Sequence, residues 1–267
     1  MINRFLKPIL EALPENNRWE RIWVLAKTDF LKRYYGSFLG VVWALLNPLF
    51  HLTVYYAVFT LVFNSKQENF ALFLFLGLVL ELFFAETCTT GLNIIRGKRH
   101  VLENIKINWL DVYYAATLST FFAFLFNFSI YFLISLFMDV TISPEALFVV
   151  PLLILNLVVL GFAIQVLLST IQVYLRDIVH LWDMVKLMIL WLGGVFYPID
   201  PSPGSDTAIL AYLTPIAGII YNARQVLMYG QPVDWGLLAF DWAYALILLT
   251  IALLVFSKFV RKALEKI

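Results

Sequence analysis

Long apolar runs, broken at short intervals by polar and turn-forming residues, dominate the chain. A helix crossing the roughly 30 Å hydrocarbon layer needs about 20 mostly apolar residues. Six stretches meet that requirement: 37–63, 70–95, 112–138, 146–174, 181–199 and 236–257. The first holds no Asp, Glu, Lys or Arg and one histidine, His51. The second carries Glu81 and Glu86, where charge is expensive unless paired or hydrated. The third contains the aromatic run TFFAFLFNFSIYFLISLFM, and the fourth has Gln165 and Gln172 late. The fifth opens on Asp183 and Lys186, three apart and able to pair on one helix face. The sixth begins near Asp241. Residues 207–229 are apolar enough to enter lipid, but Pro215, Gly218 and Arg224 interrupt them. Broken backbone is tolerated at membrane depth only inside protein or against water, so one or two re-entrant helices are expected within a periplasmic segment at 200–229. The pattern therefore predicts an all-α polytopic membrane protein, one transmembrane domain over 1–267 with six spans.

Basic residues orient such a chain. Six spans put both termini on one side. Seventeen of the nineteen Lys and Arg residues fall there, and only Lys66 and Arg224 fall opposite. Both termini are expected in the cytoplasm. Residues 1–36 hold more than a tail. Asn17 precedes Arg18-Trp-Glu20, an N-cap followed three residues on by an acid. Trp19, Ile22, Trp23, Ala26 and Phe30 then share one helix face, with Arg18, Arg21, Lys27, Lys32 and Arg33 mainly elsewhere. That pattern predicts an amphipathic helix in the membrane interface, either anchoring the first span or docking a partner.

Composition agrees with the pattern: 62% apolar, 17% aromatic and 14% charged residues, against about 25% charged in ordinary globular domains. A net charge of +1 gives no global field toward polyanions, so no nucleic-acid partner is expected. The opening residues are too polar for a signal peptide, and the N-terminus is expected to be retained. The lone Cys88 excludes a disulfide framework, and His51, His100 and His180 have no metal-ligand spacing. The segment from Gly91 to Arg99 has one residue too many between glycines for a P-loop and lacks its Ser/Thr, so no ATP site is expected in this chain. No constellation of His, Asp, Ser or Cys supports a membrane enzyme acting on lipid-linked sugars. The two halves of the chain show no inverted likeness of the kind found in secondary carriers.

The most informative stretch runs from Leu31 to Leu49: LKRYYGSFLGVVWALLNPL. Gly36, Gly40 and Ala44 form a small-xxx-small ridge that would let another helix approach. As a string, Arg33, Tyr34, Gly36, Ser37, Leu39, Gly40, Trp43, Asn47 and Pro48 resemble the first span of the membrane subunits of type-2 ABC exporters, in the polysaccharide-export branch. Arg176-Asp177 after the fourth span, Phe196-Tyr197-Pro198 after the fifth, and Pro215 followed by Arg224 also match, so the likeness covers residues 18–257 in order. Thr214 stands where the family usually has Asn, and the loop at 96–112 lacks the proline often seen there.

The resemblance implies a permease half in the bacterial inner membrane that dimerises and is energised by a separate ATPase, two copies of which bind ATP and magnesium. The implied cargo is a lipid-linked polysaccharide such as O antigen, moved from cytoplasm to periplasm. Teichoic acid, capsule or a small hydrophobic drug are the alternatives within the class. The sequence adds two expectations. A short helix over 98–110 carries Val101, Leu102, Ile105 and Trp109 at helical spacing, flanked by Lys98, Arg99 and Lys106, and would contact the ATPase. Aromatic platforms suit a saccharide's C–H faces. Tyr56, Phe59 and Phe63 in the first span and Trp182, Trp191 and Phe196 in the fifth would therefore line a path at a two-fold axis.

Overall fold

The computed structural model describes residues 17–64, 67–98, 108–214 and 216–265. Its helices, in chain order, are α1 (Arg18–Tyr34), α2 (Trp43–Leu61, entered through a 3₁₀ turn at Gly40–Val42), α3 (Phe70–Leu92) and α4 (Ile94–Gly97). There follow α5 (Trp109–Ser135), α6 (Ala146–Tyr174), α7 (Ile178–Leu192), α8 (Ala208–Leu213), α9 (Ala217–Leu227) and α10 (Trp235–Glu265). Among the described residues, five helical stretches are long and apolar enough to cross a membrane: Gly40–Leu61, Phe70–Leu92, Trp109–Ser135, Ala146–Tyr174 and Trp235–Phe259.

The expected fifth span at 181–199 is a shorter object. α7 has 15 residues, about 22 Å, and stops at Gly193. Gly194 takes φ +74°, and a Cβ there would strike the Ile199 side chain at 2.5 Å. The apolar run continues to Phe196, but the backbone turns.

α3 is the central post. Leu72 to Leu80 are almost completely buried, and α2, α5, α6, α7 and α9 all pack on it. Its interior is apolar all round, as expected of a helix enclosed by others. α6 and α10 run side by side in the same direction. The Glu145 carboxylate accepts from Val233 N–H near their starts, and the Tyr174 hydroxyl donates to the Phe259 carbonyl near their ends. Between α3, α5 and α6 lies a seam of buried polar pairs: Thr87 with Thr120 (2.8 Å), Thr117 with Gln165 (2.7 Å) and Tyr113 with Ser169 (2.8 Å). Hydrogen bonds of this kind hold helices together where lipid offers no hydrophobic driving force.

α1 begins at the expected cap, but the Asn17 side chain donates to Glu20 rather than accepting a helix N–H. It does not lie crosswise. It follows α5 from Arg18–Asp111 (2.7 Å) to Phe30, which packs on Phe122 and Phe126. Ile22, Ala26 and Phe30 of the expected face are buried, joined by Leu25, while Trp19 and Trp23 stay exposed. The small-residue ridge is corrected too. Gly36 and Gly40 lie outside the helix at φ +80° and +52°, and a Cβ on either would meet nothing. They serve the backbone turn. Only Ala44 packs closely, against Phe30 and Ala123.

The segment before α10 is two helices, broken between Leu213 and Ala217. Although only 11 residues long, α9 is buried on nearly every side. Its C-terminal end meets the α5–α6 connection through Thr141 N–H to Met228 O (3.3 Å) and Ser143 N–H to Val226 O (2.8 Å). Gln67 reaches the Tyr229 hydroxyl, and Asn69 reaches the Asp139 carbonyl. The α2–α3, α5–α6 and α9–α10 connections therefore gather at one end of the bundle. Arg18, Lys98, Arg176 and Lys258 mark the other, basic end.

Candidate functional site

The motif residues read as a string converge on one cavity of about 950 Å³. Arg33 and Tyr34 enter it from the end of α1, Ser37 from the turn, and Trp43, Ala44, Asn47, Pro48, His51 and Tyr55 from α2. α3 supplies Glu81 and Glu86, α5 supplies Thr120 and Asn127, and α7 supplies Asp183 and Lys186. The two glycines shape the corner, and Pro48 sits in the second turn of α2, inside the helix. The unusual residues of the Leu31–Leu49 stretch are thus the walls and hinge of a single space.

Charge in this space is mostly compensated. Arg33 pairs with Glu86, joining α1 to α3. Lys186 pairs with Asp183 at 3.0 Å on α7, as their spacing predicted. The Asn127 amide nitrogen is spent on the Ala44 and Ala123 carbonyls (3.0 and 2.8 Å), tying α2 to α5. The His51 ring bonds the Asn47 carbonyl at 2.8 Å. Burial pushes the Tyr34 phenol up, and the Glu86 carboxylate adds to the shift, so Tyr34 stays a neutral hydroxyl. Glu81, 3% exposed, has no hydrogen bond or ion pair among the described residues.

The six aromatic candidates lie outside this lining. Phe59 stacks on Phe196 (5.3 Å, 9°) and meets Phe63 (5.3 Å), and Trp191 packs on Phe196 at 4.8 Å. Trp182 and Phe196 are buried, the former donating from its indole to Thr89 (2.9 Å). Tyr56, Phe63 and Trp191 are exposed on the outer surface. Of the expected partner contact, Arg99, Val101, Leu102 and Ile105 lie outside the described residues. Lys98 pairs with Asp29 of α1, and Trp109 opens α5 against the cluster around Ile94 and Ile95. Arg176 and Asp177 are exposed between α6 and α7, where the Asp177 carbonyl accepts from His180 and Leu181. No group of three or more His, Cys, Asp and Glu able to hold a metal occurs among the described residues.

The sequence marks Arg224 as an interruption and as part of the family likeness, without giving it a role. The structure makes it a buried clasp. Its guanidinium donates to the carbonyls of Gly194 (2.5 Å), Val195 (2.8 Å) and Phe73 (3.0 Å) and covers the Phe73 ring at 3.3 Å. It fastens the turn after α7 to α3 and α9. An arginine inside an apolar stretch was the available signal, since such residues seldom stay unpartnered.

Comparison with known proteins follows the same outline. The chain resembles the O-antigen export system permease protein RfbA of Klebsiella pneumoniae, 24% identical over 245 residues, covering 88% of this chain and 90% of the relative. It also resembles the RfbA permease of Myxococcus xanthus, 26% identical over 208 residues, with 76% and 78% covered. Residues 20–228 match the ABC-2 type transporter family, and the chain belongs to it.

Proposed function

We propose that this protein is the permease half of an ATP-driven exporter that moves a lipid-linked polysaccharide, O antigen or a close equivalent, from cytoplasm to periplasm. Two copies form the path, and a separate ATPase holds ATP and magnesium and supplies the energy. The observation that carries this reading is the convergence of the motif residues from Arg33 to Pro48 on one polar cavity, in a chain that matches the ABC-2 type transporter family over residues 20–228. The relatives' role in O-antigen export supports the choice of cargo.

The chain sits in the inner membrane with both termini cytoplasmic, so the basic end faces the cytoplasm. α7 and the residues after it make the sixth crossing. In support, Trp182 bonds Thr89 near one end of α3, and the backbone at Val195 lies against Gly77 further along. Those α3 positions are about 18 Å apart along the helix. α8 and α9 form the re-entrant hairpin on the periplasmic side, and the burial of α9 supports that depth. Residues 99–107, with Lys98 and Trp109 at their borders, make the ATPase contact, and Tyr56, Phe63 and Trp191 face the path between protomers.

The test is deletion of the gene in its own host, with analysis of surface glycan and of lipid-linked glycan inside the cell, and co-purification of the ATPase encoded beside it. Loss of surface glycan, internal accumulation and recovery of the ATPase are expected. Unchanged surface glycan would contradict the reading.

A further inference from the structure

The cavity behind α2 has an unusual chemical balance. Its cations are committed: Arg33 to Glu86 and Lys186 to Asp183. Its polar side chains are largely committed as well. Asn127 Nδ2 holds two carbonyls, the Ser37 hydroxyl donates to Tyr34 O, and Thr120 donates to Thr117 O. Among the described residues Glu81 is the carboxylate of this lining left without a hydrogen bond or ion pair, set deep between Leu78 and Leu82 of α3 with the Lys186 ammonium acting on it only through space, while Asn127 Oδ1 is a further acceptor without a partner. A buried carboxylate accepts hydrogen bonds and donates none when ionised, and leaving it unmatched is costly. An occupant that relieves it must bring donors and must not be anionic. Trp43, Tyr34 and Tyr55 stand in the same lining and offer ring faces to an occupant's C–H groups. The volume of about 950 Å³ is within the range of about 300–1,000 Å³ typical of small-ligand sites.

We propose that this cavity is a binding subsite for uncharged, hydroxyl-rich sugar units, that Glu81 is the group that engages them, and that phosphates and uronates are kept out of it. The inference rests on the transport reading above and adds a site and a charge preference to it. Adjacent hydroxyls of a pyranose donate to the two oxygens of Glu81, while the sugar's C–H face lies on the aromatic rings. The diphosphate of a carrier lipid, which is anionic and accepts without donating, finds no uncommitted cation here.

Thiol reactivity reads this directly. Leu82→Cys places a half-buried thiol in the lining next to Glu81, and the native Cys88 is fully buried, so the unsubstituted chain gives the background. The protein is reconstituted and treated separately with a trimethylammonium-bearing and a sulfonate-bearing methanethiosulfonate. The cationic reagent should react severalfold faster, because the Glu81 charge beside the thiol acts with opposite sign on the two and Lys186, held by Asp183, offsets only part of it. Glu81→Gln should remove most of that preference, and Glu81→Asp should keep it. Maltotriose should slow both reagents severalfold, and trigalacturonate should not. Equal rates, equal protection by trigalacturonate, or a preference that survives Glu81→Gln overturns the proposal. Loss of glycan export in cells is scored separately and bears on the transport reading alone.

Discussion

Arg224→Met removes the clasp while keeping most of the side-chain volume. Gly194 O and Val195 O, both outside helices, lose a donor at 2.5 and 2.8 Å, whereas Phe73 O keeps a place in its own helix ladder. A buried acceptor left without a partner costs about 1–3 kcal/mol, so two cost about 2–6 kcal/mol. Removing a buried guanidinium recovers part of this through relief of its desolvation. The net loss is about 2–4 kcal/mol, a large share of a marginal total. At roughly 2–4 °C per kcal/mol for a chain of this size, the midpoint should fall by at least about 4 °C. The assay is thermal challenge of detergent-solubilised protein followed by size-exclusion chromatography, with Arg224→Lys alongside. Lysine keeps the charge but not the fork that reaches three carbonyls, so it should rescue only partly. A midpoint within 1 °C of wild type for Arg224→Met would refute the clasp.

Three further outcomes are expected. Gly91→Ala should destabilise by about 1–3 kcal/mol through overpacking, because its Cβ would sit 2.5 Å from the Gln165 carbonyl oxygen and 2.8 Å from Gln165 Cα, where backbone must move; chemical unfolding of the purified chain checks this. Arg33→Glu and Glu86→Arg should each reduce export, and the double exchange should recover much of it, as a double-mutant cycle on surface glycan reads; no recovery argues against the pair joining α1 to α3. Cysteines at Leu102 or Ile105 should cross-link to the ATPase, and absence of any cross-link across 98–110 would remove that contact.

How far the sequence was legible differs along the chain. The boundaries of α6 at 146 and 174 were readable, because a uniformly apolar run is bracketed by Pro144-Glu145 and Arg176. α7 was overrun by seven residues. Hydropathy does not register Gly193-Gly194, and the second glycine's left-handed backbone ends the helix inside an apolar run. The stretch at 207–229 was legible as broken, but its division into one helix ending at Leu213 and another starting at Ala217 depends on packing. The Arg33–Pro48 string was visible, whereas its meeting with Glu81, Glu86 and Lys186 was not, since those contacts join helices far apart in sequence. Aromatic spacing has the same limit. Trp182 and Phe196 share apolar surroundings with Trp191, and periodicity alone does not say which of them faces the core.

The central claim is ATP-driven passage of a lipid-linked glycan through a pair of these chains. Its most direct measurement uses proteoliposomes holding the permease and its ATPase, loaded with lipid-linked glycan, with protection of the glycan from an external glycosidase followed over time. The account predicts that adding ATP and magnesium to the nucleotide-accessible side changes glycan accessibility only when both proteins are present. A change of equal rate without ATP, or with the ATPase alone, would contradict it.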